Sequence, residues 1–271
     1  LGDVYKRQGS NGSTIINIEG GTITAEGGGK ENGSCQASGA GIGSGGNALN
    51  KTTINIKGGE ITATGGVSLD SRNHSDKWLS GAGIGSGSNV SGETEINISG
   101  DSTIKSASGG KYGGAGIGSG SYSGSKPNNQ KGAVTINITG GNIEKVTGGG
   151  EYVPSSKRWY SGAGIGAGLN AGTTTINIKD NAHIVSATGG KYGGAGIGSG
   201  SGDTKNDSKK GAVTINITDG TIEKAEGKDG GAGIGSGYYG RSSTVNISGN
   251  AELKDVKGCL LYTSPSPRDC S

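Results

Sequence analysis

An all-β, single-stranded parallel β-helix of about seven three-sided coils is the fold this chain predicts, and two repeated phrases with one compositional fact predict it. Gly-Ala-Gly-Ile-Gly-(Ser/Ala)-Gly occurs six times, at 39–45, 81–87, 114–120, 162–168, 194–200 and 231–237. Between the copies runs Thr-Ile-Asn-Ile or a close variant, whose asparagines are Asn17, Asn55, Asn97, Asn137, Asn177, Asn216 and Asn246, spaced 38, 42, 40, 40, 39 and 30 residues apart. A fixed period of this length is the signature of a stacked repeat architecture. Glycine supplies 62 of 271 residues, phenylalanine and methionine are absent, and the hydrophobic share is 28%. That is too little for a thick core, yet the apolar residues recur in register, mostly as isoleucine, which suits a thin core of stacked side chains.

The unit from Thr53 to Ala63 shows how one coil is built. Thr53-Ile54-Asn55-Ile56 alternates polar and apolar residues, the mark of a half-buried strand, with Ile54 and Ile56 inward and Thr53 and Asn55 outward. Gly58 and Gly59 supply a sharp corner, and Ile61 and Ala63 turn inward again on a second short strand. After a variable loop, Ala82 and Ile84 sit two apart in the glycine phrase and form a third side. Glycine is a poor strand residue, so the alternative for this side is an extended segment without regular ladder bonding.

A second period lies over the first. The corners after Asn55, Asn137 and Asn216 turn with Gly58-Gly59, Gly140-Gly141 or Asp219-Gly220, whereas those after Asn97, Asn177 and Asn246 carry one more residue. Long insertions precede the third side in the second and fourth coils (67–80 and 149–161) and follow it in the third and fifth (121–131 and 201–210). The unit is therefore a doublet of two coils whose loops decorate two corners, the usual binding positions on a solenoid.

The two ends share no phrase with the repeats. Cys259 to Ser264 reads Cys-Leu-Leu-Tyr-Thr-Ser and Asp3 to Gln8 reads Asp-Val-Tyr-Lys-Arg-Gln, and both resemble translated sequencing adaptor, one from each strand. The expected division is 1–8 and 259–271 as adaptor-derived segments and 9–258 as the β-helix repeat domain. Within 9–258 the only cysteine is Cys35, expected to be a lone surface thiol, and the charge balance falls from 25 basic and 22 acidic residues to 22 and 20. Neither nucleic acid nor an acidic membrane is implied as a partner by so small an excess.

Chemistry-bearing constellations are sparse. Gly41-Ile42-Gly43-Ser44-Gly45-Gly46 fits a dinucleotide fingerprint, but the phrase recurs six times with no helix after it, so it reads as structure. His74 lies in a variable loop, His183 in a turn-flanking slot, and Asp101, Asp180 and Asp219 at corners, so no convergent acid, base or nucleophile is expected. The 203–207 loop lacks the carboxylate pattern of a calcium site, and no metal or cofactor is expected. The asparagines are expected to hydrogen-bond up one face as a ladder. The threonine rank beside them, Thr53, Thr135, Thr175, Thr214 and Thr244, resembles that of ice-binding β-helices, but Glu19, Lys57, Glu95 and Lys179 place charges on the same face.

The candidate ligand site is an edge of aromatics just before the third side. Counting back from each glycine phrase puts Tyr112, Tyr160 and Tyr192 two residues before it and Trp78, Trp159, Lys111 and Lys191 three before, with Arg158 adjacent. Aromatic faces stack on sugar rings and the cations reach hydroxyls or acidic sugars, so the edge reads as a glycan-binding row, the alternative being corner packing.

The repeat phrases resemble the glycine-rich β-helical repeats of large bacterial cell-surface, adhesin-like proteins. The resemblance implies an extracellular, wall- or membrane-anchored parent and supplies no functional residues. A non-catalytic adhesive or spacer rod, contacting polysaccharide or a host surface protein, is the favoured expectation. A fragment of a β-helical polysaccharide lyase or hydrolase is the alternative, and ice binding the lesser one.

Overall fold

The computed structural model describes residues 13–29, 37–70, 77–122, 131–153, 158–202, 211–240 and 242–258. Cys35, His74, the 203–207 loop and the segments 1–8 and 259–271 lie outside the described residues.

Period-two alternation places one isoleucine pair per coil inward, and the strands that carry it stack in parallel. The first side holds seven strands, from Thr14–Ile18 through Val134–Ile138 to Ser243–Ile247, each in register with the next so that asparagine meets asparagine. Ile54, Ile56, Ile96, Ile136, Ile138, Ile176 and Ile215 are fully buried or nearly so, as the alternation predicts. On the outer face each asparagine donates from Nδ2 to the Oδ1 of the coil before it, at 2.8–2.9 Å, from Asn55 to Asn17 and onward to Asn246 and Asn216. The predicted ladder is complete. Charges on this face pair with one another: Lys51 lies 2.8 Å from Glu95, which also accepts from Asn97. The Lys51 ammonium, with help from Asn97, holds the Glu95 carboxyl below the usual range.

The second side departs from strict alternation. In the second coil a single residue, Thr62, separates the inward Ile61 and Ala63, but in the third coil Lys105 and Ser106 both stand between Ile104 and Ala107. The pairing shifts there, with Ile104 opposite Ile61 and Ser106 opposite Thr62, and the extra residue is retained as far as Leu253 and Val256. Such a bulge breaks the strands of the fourth and fifth coils into two-residue pieces. The outer face carries a second ladder, of charges: Lys105 contacts Glu144 at 2.8 Å and Glu60 at 3.7 Å, and Glu223 contacts Lys254 and His183.

The third side is more regular than its composition suggests. Six two-residue strands, Ile42–Gly43 to Ile234–Gly235, form a parallel ladder. Its second residue has φ between 134° and 143° in every coil, and a Cβ on Gly118 would sit 1.8 Å from the Gly166 carbonyl oxygen. Only glycine fits that approach. The next residue is serine in five coils, and in four of them its hydroxyl accepts a backbone N–H from the coil above: Gly87 to Ser44, Gly120 to Ser86, Gly168 to Ser119 and Gly237 to Ser199. Ala167 interrupts the series and leaves a space of about 10 Å³, lined also by Ser199, Gly200 and Ser201.

Two predictions follow from these placements. Ile136→Asp is expected to destabilise by several kcal/mol, roughly 3–5, and Thr135→Asp by no more than about 1, measured as urea midpoints; equal shifts would refute the register. Ala167→Ser restores the missing acceptor for the Gly200 N–H beside an existing space, and is expected to raise stability by about 0.5–1.5 kcal/mol in the same assay.

Candidate aromatic binding surface

Both insertions that precede the third side fold as antiparallel hairpins at one corner of the rod. The first pairs Val67–Asp70 with Lys77–Ser80 and sets Leu69 opposite Trp78; the second pairs Gly150–Val153 with Arg158–Ser161 and sets Tyr152 opposite Trp159. Each tryptophan reaches forward to the tyrosine of the following coil. Trp78 meets Tyr112 edge-on at 4.7 Å, and Trp159 meets Tyr192 at 4.6 Å. Each tyrosine carries its preceding lysine over the ring, Lys111 at 5.0 Å and Lys191 at 4.9 Å. One Trp-Tyr-Lys unit is thus built twice, two coils apart.

The two copies differ in what lies above them. Over the first copy sits the second hairpin: Tyr160 meets Tyr112 at 6.3 Å, and Tyr112, Val153, Tyr160 and Leu169 form a small second core with Val67 and Trp78 against it. Tyr112 and Tyr160 are therefore buried and offer no face to a ligand; of these positions the expected row is corrected to packing. Trp78 is half-buried, and its indole nitrogen finds no acceptor among the described residues, so ring contacts hold it. Over the second copy there is no hairpin, because in the sixth coil only residues 227–230 separate the second-side strand from the glycine phrase. Trp159 is left 46% exposed.

The uncovered copy is also richer in aromatics. Tyr152, in place of Leu69, lies 4.2 Å from Trp159. Tyr238 takes the position of Leu169: its N–H donates to Gly193 O at 2.7 Å as that of Leu169 does to Gly113 O, and the exposed Tyr239 lies 4.2 Å from it. Trp159, Tyr192 and Lys191 of the expected row belong to this surface, and Arg158 stands on its hairpin strand opposite Val153. Lys111 stays with the covered copy. Tyr152, Tyr238 and Asp229 were missed by counting back from the glycine phrase, since they lie on the other hairpin strand, beyond the third side and in the next coil.

Tyr192 itself is strained. Tyr112 and Tyr192 share the sequence Lys-Tyr-Gly-Gly, yet only Tyr192 adopts a left-handed φ, of 77°. The Tyr112 N–H donates to Ser80 Oγ in the coil below, whereas the Tyr192 N–H donates to the Asp229 carboxylate in the coil above, at 3.1 Å. A non-glycine residue there costs about 1–2 kcal/mol, so tertiary contacts and not local preference fix this ring against Trp159. Tyr192, and to a lesser degree Asp229 and Glu151, hold the Lys191 ammonium above its ordinary value.

Residues 16–46, 54–88, 96–121, 136–169 and 215–238, more than half of the chain, match the family described as Beta helix repeat. The chain belongs to this β-helix repeat family. No curated protein and no solved structure matches it. Each matched segment of the β-helix repeat runs from a first-side strand to just beyond the third side, so the family unit is one coil, and it accounts for the scaffold. Among the described residues no three His, Cys, Asp or Glu side chains converge as a metal site, and no helix is long and apolar enough to cross a membrane.

The difference in cover has a measurable consequence. Trp78→Ala is expected to lower stability by roughly 3 kcal/mol, as loss of a packed ring does, and Trp159→Ala by about 1 or less, compared by chemical denaturation.

Proposed function

We propose that this β-helix is a non-catalytic, extracellular adhesive rod that contacts extended glycans through the uncovered aromatic surface around Trp159. The observation that carries the reading is the contrast between the two Trp-Tyr-Lys units: the same unit is sealed by a hairpin in one doublet and left open, with Tyr152 and Tyr238 added, in the next. An exposed cluster of rings on a rigid scaffold is costly to leave in water without a partner, and the apolar faces of pyranose rings match it. Lys191 supplies a donor at the rim for hydroxyl or carboxylate oxygens. Rigid placement limits the ordering cost of a weak ligand, and successive rods on a surface raise avidity by multivalency. A cell-surface location accords with this role.

Because the chain has only two tryptophans, Trp78→Phe leaves Trp159 as the sole indole fluorophore. A glycan array selects the ligand, and titration of that variant is expected to change Trp159 emission saturably. Trp159→Ala and Tyr192→Ala are expected to weaken binding about tenfold, ~1.4 kcal/mol each. Absence of any bound glycan for the wild-type chain, with Trp159→Ala as destabilising as Trp78→Ala, would assign the surface to packing.

A further inference from the structure

Seven non-glycine residues among those described hold a left-handed backbone, and five of them are Asn or Asp, the types that adopt it most readily: Asn47, Asn89, Asn170, Asp180 and Asp229, with φ between 44° and 59°. The other two are Tyr192, at 77°, and Tyr239, at 50°. Both belong to the uncovered aromatic surface. A bulky side chain in this region is a true outlier, and such outliers gather where a site gains from them.

Tyr239 has direct equivalents elsewhere in the rod. Asn47, Asn89 and Asn170 each stand two residues beyond a glycine phrase, and Tyr239 stands two beyond the last one. The turn is the same in all four, with φ of 59°, 56°, 51° and 50°, so tyrosine at 239 works against a local preference that asparagine would satisfy. Its ring stays 41% exposed, and burial offsets only part of the strain. The turn delivers that ring to the open copy. Tyr238 packs on the residue after Tyr192, where a Cβ on Gly193 would lie 2.3 Å from the Tyr238 Cβ. Tyr239 lies 4.2 Å from Tyr238 with the planes 39° apart, and its hydrogen bond holds the Tyr238 phenol above its ordinary value, so the two rings stand as one unit. Leu69, Leu169 and Asn170 of the sealed copy are thus Tyr152, Tyr238 and Tyr239 in the open one.

We propose that Tyr239 is a second sugar-ring position beside Trp159, and that the ligand of this surface is an oligosaccharide of at least three rings lying along the rod axis. The inference rests on glycan contact at Trp159 and adds chain length as the property selected. Trp159 precedes the third side of coil four and Tyr239 follows that of coil six, and two coil spacings amount to about 10 Å, close to a disaccharide repeat. A sugar stacked on Trp159 therefore sets at Tyr239 not its neighbour but the ring after it. Tyr192, in coil five and 4.6 Å from Trp159, stands by the ring between. The two strained backbones fix these side chains before a ligand arrives, which lowers the ordering cost of each contact. The phenol oxygens of Tyr238 and Tyr239 can both donate to and accept from sugar hydroxyls.

Oligomers of β-1,4-linked glucose, xylose, mannose and N-acetylglucosamine, from one ring to six, titrated into the full chain carrying Trp78→Phe test this, with Trp159 emission as the readout. At least one series is expected to bind, its affinity rising about tenfold between two rings and three. Tyr239→Asn, which restores the residue of the equivalent turns, is expected to remove that step, to leave the one- and two-ring affinities as they were, and to raise the urea midpoint of the chain. Tyr239→Phe keeps the ring and is expected to keep the step. A ring that serves only to pack on Tyr238 gives the reverse, a lower midpoint for Tyr239→Asn with affinity unchanged at every length. That result, a step that survives Tyr239→Asn, or binding lost with Trp159→Ala yet indifferent to length each overturns the second position and leaves contact at Trp159 standing. No response to any series also overturns the second position, and a glycan array that binds nothing overturns the contact with it.

Discussion

Close backbone approach on the third side is the constraint on which the rest of this structure depends. A coil with one or two isoleucines per side cannot hold its shape by core volume, so its neighbours must meet main chain to main chain. At Gly43, Gly85, Gly118, Gly166 and Gly198 a Cβ would fall within 2.0 Å of the next coil's carbonyl oxygen. With every such position glycine, Ile84, Ile117, Ile165 and Ile197 drop into the middle of the rod and are fully buried. The serine that follows then lies against the next coil's N–H, which converts a crowded glycine turn into a hydrogen-bonded one. The hairpins leave the coil immediately before this side and re-enter it through Gly81 or Gly162, and the aromatic rings take their positions from that exit.

The three sides solve the same stacking problem by different means. The first uses neutral amides, whose donor and acceptor alternate along the axis, and so gains a continuous side-chain ladder with no charge to desolvate. The second uses opposite charges in successive coils; most of these groups are exposed, and pairs such as Lys105 with Glu144 contribute modestly to stability and more to register, since a slip would set like charges together. The bulge that begins at the third coil lets the second side carry two outward residues where one would otherwise stand, among them Lys105, Glu144, Glu223 and Lys254. The third side leaves no room for side chains on its outer face.

The aromatic surface arises where the repetition is incomplete. The Trp-Tyr-Lys unit is made twice by similar sequences and acquires opposite characters because coil six has four residues where a hairpin would be. Cover turns the first unit into a core of Tyr112, Tyr160, Val153 and Leu169; lack of cover, with the Tyr192 N–H donating to the Asp229 carboxylate, turns the second into an exposed surface with a strained residue. Strain of that kind persists only where surrounding contacts hold it, and in this rod it coincides with the most exposed tryptophan.

Sequence by itself determined the solenoid, the inward and outward sets on the first side, the asparagine ladder and the doublet period, because each rests on spacing along one strand, and parallel stacking carries equal spacing into direct contact. Ile54 and Asn55 were legible for that reason. It also placed Trp159, Tyr192 and Lys191 at the correct corner. What it could not separate was Tyr112 from Tyr192, which share their neighbours in the chain, since their difference lies in the presence or absence of a hairpin one coil further on and in a carboxylate from the coil above. Nor did it show Tyr152 facing Trp159, which needs the hairpin register, or the second-side bulge, which appears only when Ser106 is found opposite Thr62. Burial at a corner is a property of what stacks over it, and that is decided by tertiary contacts between coils whose sequences are nearly the same.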